Sequence, residues 1–392
     1  MGAMTFWMSA ALVGFAYAGY PLALALMARL RSRPVTRDAI RPPVTFVITA
    51  HNEEQRLAEK LHNTLAQDYP ASLLEIIVAS DCSTDGTDDI ARSFGDRVRL
   101  VRAPERRGKE AAQQLAVQAS SGEILVFSDV ATAVAPDGVS SLVANFADPS
   151  VGCVSSVDRF VDADGRTSGE GAYVRYEMFL RTLDTRVNSL VGLSGSFFAA
   201  RRDVCRQWAA DRQSDFSTLL NAIELGYRGV LDPDAAGYYC NLADDRRESA
   251  RKIRTVVRGI AVLARNTRML NPFRYGLFAW QLASHKLCRW LVPFAMIAAL
   301  ASNAALVAAP FYRMTLAAQA AFYATAAAGL WTGAGALRLP AYFVRSNFSI
   351  LTAWIRFARG ERMTTWTPSD RLAALPDTRQ TSSGFRKLVA GR

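Results

Sequence analysis

The chain has 392 residues, half of them apolar, and 46 basic against 35 acidic side chains give it a net charge of +11. That length accommodates one sizeable α/β core plus a second element, and the charge suits an anionic lipid surface or a diphosphate ligand; no nucleic-acid-binding motif occurs, which argues against the remaining partner of a basic protein. Cys82, Cys153, Cys205, Cys240 and Cys288 form an odd set without a CxxC pair, and only His51, His62 and His285 are present, widely spread, so a disulfide framework, a structural zinc site and a histidine-based hydrolase triad have little support.

Met1 to Met27 carries no charge, and Phe6 to Met27 is long enough to cross a bilayer core of about 30 Å. Arg29, Arg31, Arg33 and Arg37 follow the apolar run instead of preceding it, so residues 1–30 read as a retained anchor with its C-terminal side cytoplasmic. Residues 31–42, polar and holding Pro34 and Pro42, read as a linker. Residues 43–265 then form the expected catalytic unit, with strands at 44–49, 75–79, 98–102 and 123–127 and helices at 53–67, 85–94 and 108–119. That alternation predicts an α/β, mainly parallel, Rossmann-like sheet with its ligand at the strand C-termini. Beyond Asp129 the rhythm weakens, through a helix near 134–147, Val151 to Phe160 and an Asp162–Gly165 turn. Residues 266–290 mix Arg274, His285, Lys286 and Arg289 with aromatic side chains and read as an interfacial helix. Leu291 to Tyr312 and Met314 to Leu337 are charge-free and read as a transmembrane hairpin over 291–338, and residues 339–392 as an interfacial helix and a basic cytoplasmic tail.

The chemistry-bearing residues cluster after the strands. Glu53 and Asp81 stand where a carboxylate accepts hydrogen bonds from a ribose or a base edge, although acidic residues also favour helix starts and turns. Lys109 opens a helix, a poor electrostatic choice unless an anion lies nearby. Asp129 ends the apolar Ile124-Leu125-Val126-Phe127 run, and Asp215 follows Ser214 ahead of a helix, a position that a simple N-cap would also explain.

Taken together, Thr49-Ala50-His51-Asn52-Glu53-Glu54, Ser80-Asp81-Cys82-Ser83-Thr84-Asp85-Gly86-Thr87, Gly108-Lys109, Gly192 to Arg202 and Arg251-Lys252-Ile253-Arg254-Thr255 resemble a membrane-anchored family 2 glycosyltransferase of the GT-A fold, related to cellulose, hyaluronan and chitin synthase-like enzymes. The resemblance implies nucleotide-binding roles for Thr49, Glu53, Asp81 and Lys109, acceptor contacts at Gly195 and Ser196, diphosphate contacts from Arg254 and Arg251, and Asp215 as general base. It also implies a divalent ion, Mg²⁺ or Mn²⁺, on Asp129, but Ala131 stands where the family's Asp-x-Asp motif has its second carboxylate, which lowers the expected affinity. Thr255 likewise replaces the tryptophan of polymer-extending members. The implied activity is inverting transfer of a sugar from a nucleotide-diphosphate sugar to a glycan or lipid-linked acceptor, by a multi-pass inner-membrane protein. A processive synthase, which would need self-association or an export partner to enclose a channel, and a non-catalytic scaffold or sugar-nucleotide sensor are the alternatives.

Overall fold

The computed structural model describes residues 1–161, 172–240, 245–332 and 335–363. The described residues divide into two compact units, one built from residues 30–240, the other from Met1–Arg29 with residues 245–363. The Asp162–Gly165 turn and the tail beyond Met363 lie outside the described residues.

The first unit is one eight-stranded sheet flanked by helices. Its strands are β1 (Val44–Ala50), β2 (Leu74–Ser80), β3 (Arg99–Arg102), β4 (Ile124–Asp129), β5 (Ala133–Val134), β6 (Val151–Val161), β7 (Phe197–Arg201) and β8 (Arg228–Cys240). In space they run β3-β2-β1-β4-β7-β6-β8-β5. The first four are parallel, in the βαβ order that the alternating sequence requires, and helices Leu57–Leu65, Thr87–Ser93 and Lys109–Ala119 make the crossovers. The strands are apolar on both sides because both faces are covered: Phe46, Ile48, Val78 and Val126 pack with Leu57 and Leu61, while Phe127 stacks on Phe198 and Trp208, each with ring centroids 4.8 Å apart.

From β4 onward the expected parallel rhythm gives way. β7 pairs antiparallel to β4, with Phe127 opposite Phe198, β6 pairs antiparallel to β7, and β8 returns parallel to β6. The sheet is therefore parallel on the side of β1 to β3 and mixed beyond β4. The helix expected near 134–147 is shorter, Gly138–Ala144, because Ala133–Val134 pairs with β8 as a strand. The linker is not loose. Arg228, fully buried, donates to the Arg33 and Pro34 carbonyls at 2.9 Å and pairs with Asp148 at 2.9 Å. Backbone bonds from Arg33 to the Arg186 carbonyl and from Asp38 to the Ala144 carbonyl extend the attachment.

The second unit is helical. Gly2–Leu30 and Pro272–Ala305 are long and apolar enough to cross a membrane. Two boundaries differ from expectation. The segment read as an interfacial helix starts at Pro272, with the Asn271 side chain capping the Phe273 amide at 2.9 Å, kinks at Gly276 (φ 52°) and continues into the segment read as the first arm of the hairpin. The break between the arms falls at 306–309, ahead of Pro310–Thr332, and not at Arg313. Helix Asp245–Arg265, expected within the catalytic unit, belongs here: its buried Val256, Val257, Ile260 and Leu263 form an apolar stripe, and Lys252 donates to Ser346 Oγ at 2.7 Å on helix Arg338–Ala358.

Candidate active site

Two loops leave the ends of β1 and β2 and fasten to each other. Asn52, at φ 53°, accepts from the Thr84 amide at 2.8 Å; the Glu53 amide donates to Thr87 Oγ1 at 2.7 Å; Glu54 accepts from the Gly86 amide at 2.9 Å. His51 Nδ1 lies 2.7 Å from the Asp81 carbonyl. Much of the motif is thus spent on holding two strand ends together, which leaves Glu53 and Asp81 in fixed places. Both are buried.

Asp81 accepts from the backbone amides of Arg107 at 2.9 Å and Gly108 at 3.0 Å. These bonds shape the turn into helix Lys109–Ala119, where Gly108 sits at φ 100°, a conformation that a side chain would strain. Glu53 accepts from the Arg56 guanidinium at 2.6 and 2.8 Å through one oxygen. Burial pushes the Glu53 carboxyl up to about 7, against the pull of Arg56, and the negative charges of Asp129 and Asp85 add to the rise. The Thr49 hydroxyl, at the end of β1 opposite Asp129, is buried with no hydrogen-bond partner among the described residues, an acceptor and donor in want of a ligand group.

At the seam between β4 and β7 the predicted residues converge. The Lys109 ammonium pairs with the Asp129 carboxylate and donates to the Gly195 carbonyl at 2.8 Å. The Asp129 amide donates to the Ser196 carbonyl at 3.1 Å. Asp215, in the first turn of helix Ser214–Glu224, lies so near Gly195 that a methyl group there would sit 3.4 Å from Asp215 Oδ2, and Gln213 Nε2 donates to that oxygen at 3.1 Å. Lys109, Asp129, Gly195, Ser196 and Asp215 therefore share one edge of the sheet, with Glu53, Asp81 and Thr49 on the neighbouring strand ends. Arg251 and Arg254 lie on helix Asp245–Arg265 of the helical unit.

Two residues here escaped the sequence reading. Asp158 on β6 accepts from Ser194 Oγ at 2.5 Å and Ser196 Oγ at 2.6 Å and so pins the Gly-Ser loop. Lys60 is fully buried beneath β4, where its ammonium donates to Ser128 Oγ at 2.8 Å and the Thr132 carbonyl at 2.6 Å. A signal existed for the second: Leu57, Lys60, Leu61 and Thr64 fall at helical spacing on one stripe, and a lysine on an apolar stripe is out of place.

Among the described residues, no three His, Cys, Asp or Glu side chains lie close enough together to hold a metal ion. A half-exposed Asp129 suits a divalent cation that arrives with a diphosphate, since Mg²⁺ binds through one or two carboxylates, substrate phosphates and retained waters.

The sheet, parallel over β1 to β4 and mixed beyond, is that of a GT-A, Rossmann-like fold. Residues 45–208 match the family described as Glycosyl transferase family 2. Glycosyltransferase AglE of Haloferax volcanii is 30% identical over 35% of this chain and 45% of its own length. Succinoglycan biosynthesis protein ExoO of Rhizobium meliloti is 31% identical over 50% of this chain and 60% of its own. The chain thus spans about half the length of these curated relatives. Mannosyltransferase PcManGT from Pyrobaculum calidifontis, solved in complex with GDP-Man and Mn²⁺, shares the fold with a TM-score of 0.69 at 24% identity, over 91% of this chain and 99% of that one.

Proposed function

We propose that the protein is a membrane-anchored inverting glycosyltransferase that moves a sugar from a nucleotide-diphosphate donor to a glycan or lipid-linked acceptor at the cytoplasmic membrane face, in polysaccharide or glycolipid biosynthesis. The observation that carries this reading is the meeting of Lys109, Asp129, Gly195 and Asp215 at one sheet edge.

Glu53, Asp81 and Thr49 seat the nucleoside at the ends of β1 and β2. Lys109 neutralises charge on the diphosphate as it leaves. A divalent ion bound by Asp129 with the donor would polarise the phosphoryl oxygens and stabilise the leaving group. Asp215 accepts the proton of the attacking acceptor hydroxyl, and its bond from Gln213 fixes the carboxylate's direction. Gly195, with no side chain, lets the acceptor reach that carboxylate. Displacement by a single base opposite the leaving diphosphate inverts the anomeric centre.

The test is nucleoside-diphosphate release by detergent-purified protein across a panel of sugar nucleotides, with Mg²⁺, Mn²⁺ or chelator, beside Asp215→Asn. Release from one donor that needs metal and falls at least about 100-fold in the variant is expected. Full activity in a folded Asp215→Asn protein would remove Asp215 as base. Silence on every donor, even with native lipid extract supplied, would favour the non-catalytic scaffold.

A further inference from the structure

Lys60 occupies a costly place. Its side chain is fully buried on helix Leu57–Leu65, its ammonium lies 5.3 Å from the centre of the Phe46 ring, and Leu57 and Leu61 flank it on the helix. Burying an ammonium ion is expensive, and a methionine would fill the same volume without that cost. What the ammonium adds is a pair of directed bonds. They end on Ser128 Oγ and the Thr132 carbonyl, the two flanks of the turn that contains Asp129, Val130 and Ala131. The turn closes on itself through the Thr132 amide and the Asp129 carbonyl at 3.2 Å, while the Asp129 amide is held from the other side by Ser196. Burial pulls the Lys60 ammonium down to about 7, and the negative charge of Asp129 acts the other way, favouring the ammonium.

With Ala131 in place of a second carboxylate, the whole demand for a precisely aimed oxygen falls on Asp129. We propose that Lys60 is the positioning residue of that turn: its two bonds clamp both flanks, and so hold the Asp129 carboxylate in the direction of Lys109 and the donor diphosphate. Lys60 touches neither donor nor acceptor in this role. The inference rests on the reading of Asp129 and Lys109 as the diphosphate-facing pair.

The distinguishing quantity is the preference for a diphosphate over a monophosphate of the same nucleoside. Full-length protein in detergent is titrated calorimetrically with UMP, UDP, GMP and GDP in the presence of Mn²⁺, as wild type, Lys60→Met and Ser128→Ala. The wild type is expected to bind one diphosphate more tightly than its monophosphate. Lys60→Met should cut that preference by about tenfold while monophosphate affinity stays within about twofold. Ser128→Ala, which removes one end of the clamp and leaves the core volume intact, should move the preference the same way by a smaller factor, and it carries the test if Lys60→Met does not fold. A diphosphate preference kept within about twofold by the folded variants overturns the clamp and leaves the functional reading standing. A wild type without any diphosphate preference overturns the functional reading and the clamp with it.

Discussion

At Glu53, burial and the neighbouring Arg56 charge pull in opposite directions. A carboxyl held near pH 7 by desolvation carries a proton over much of the range in which an ordinary glutamate is charged, so the folded chain binds a proton that the unfolded chain has released. The protein should therefore lose stability as pH rises from about 4.5 to about 7, and not beyond, by roughly 3 kcal/mol at most at about 1.36 kcal/mol per pH unit. Glu53→Gln should flatten that part of the profile, read as melting temperature against pH; an unchanged slope would place the titrating group elsewhere. Asp81 is spent differently, on the amides of Arg107 and Gly108, where its oxygens hold the turn into helix Lys109–Ala119.

At the scale of elements, the linker behaves as part of the sheet unit. Arg228, fully buried at the start of β8, carries two linker carbonyls and the Asp148 carboxylate on one guanidinium. Burial would raise the Asp148 carboxyl, but bonds from Ser150 and the charge of Arg228 outweigh it and bring it down to about 2. The pair therefore contributes fully above about pH 4 and is lost as pH falls through about 2. Arg228→Met should cost about 3 kcal/mol, since it strands a carboxylate and two carbonyls, and should expose residues 31–42 to protease before the sheet unfolds. Resistance of that segment equal to the wild type would show that backbone bonds alone secure it. Short-range patterns made the strands and crossovers of β1 to β4 legible, because apolar runs, glycines and acidic turns repeat there at fixed spacing. What lay hidden was set by distant pairing. Ala133–Val134 is a strand only because β8 lies beside it, and Asp158 gains its role from serines 36 and 38 residues away. Lys60 was legible in principle, as a charge on an apolar stripe.

For the whole molecule, the helical unit makes the same argument from composition. Gly2–Leu30 and Pro272–Ala305 have the length and apolar character to span a bilayer, whereas Pro310–Thr332 interrupts its alanines with Thr315, Gln319 and Thr325. The protein is expected to remain in the membrane fraction through alkaline carbonate washing and to leave it only with detergent; release by carbonate alone would make it peripheral. Arg251 and Arg254 belong to this unit.

The reversal of strand direction at β4 also sets an order in time. The four strands of the parallel half, β1 to β4, all lie within Val44–Asp129, although β4 closes on β1 across as long a stretch of chain as separates it from β7. β7 reaches β4 only after the chain has made the long excursion that contains β6, and β8 comes later still. During synthesis the ends of β1, β2 and β4 are therefore expected to come together before Gly195 and Asp215 have been made, so that on the proposed function a partly made chain could hold a donor before it could spend one.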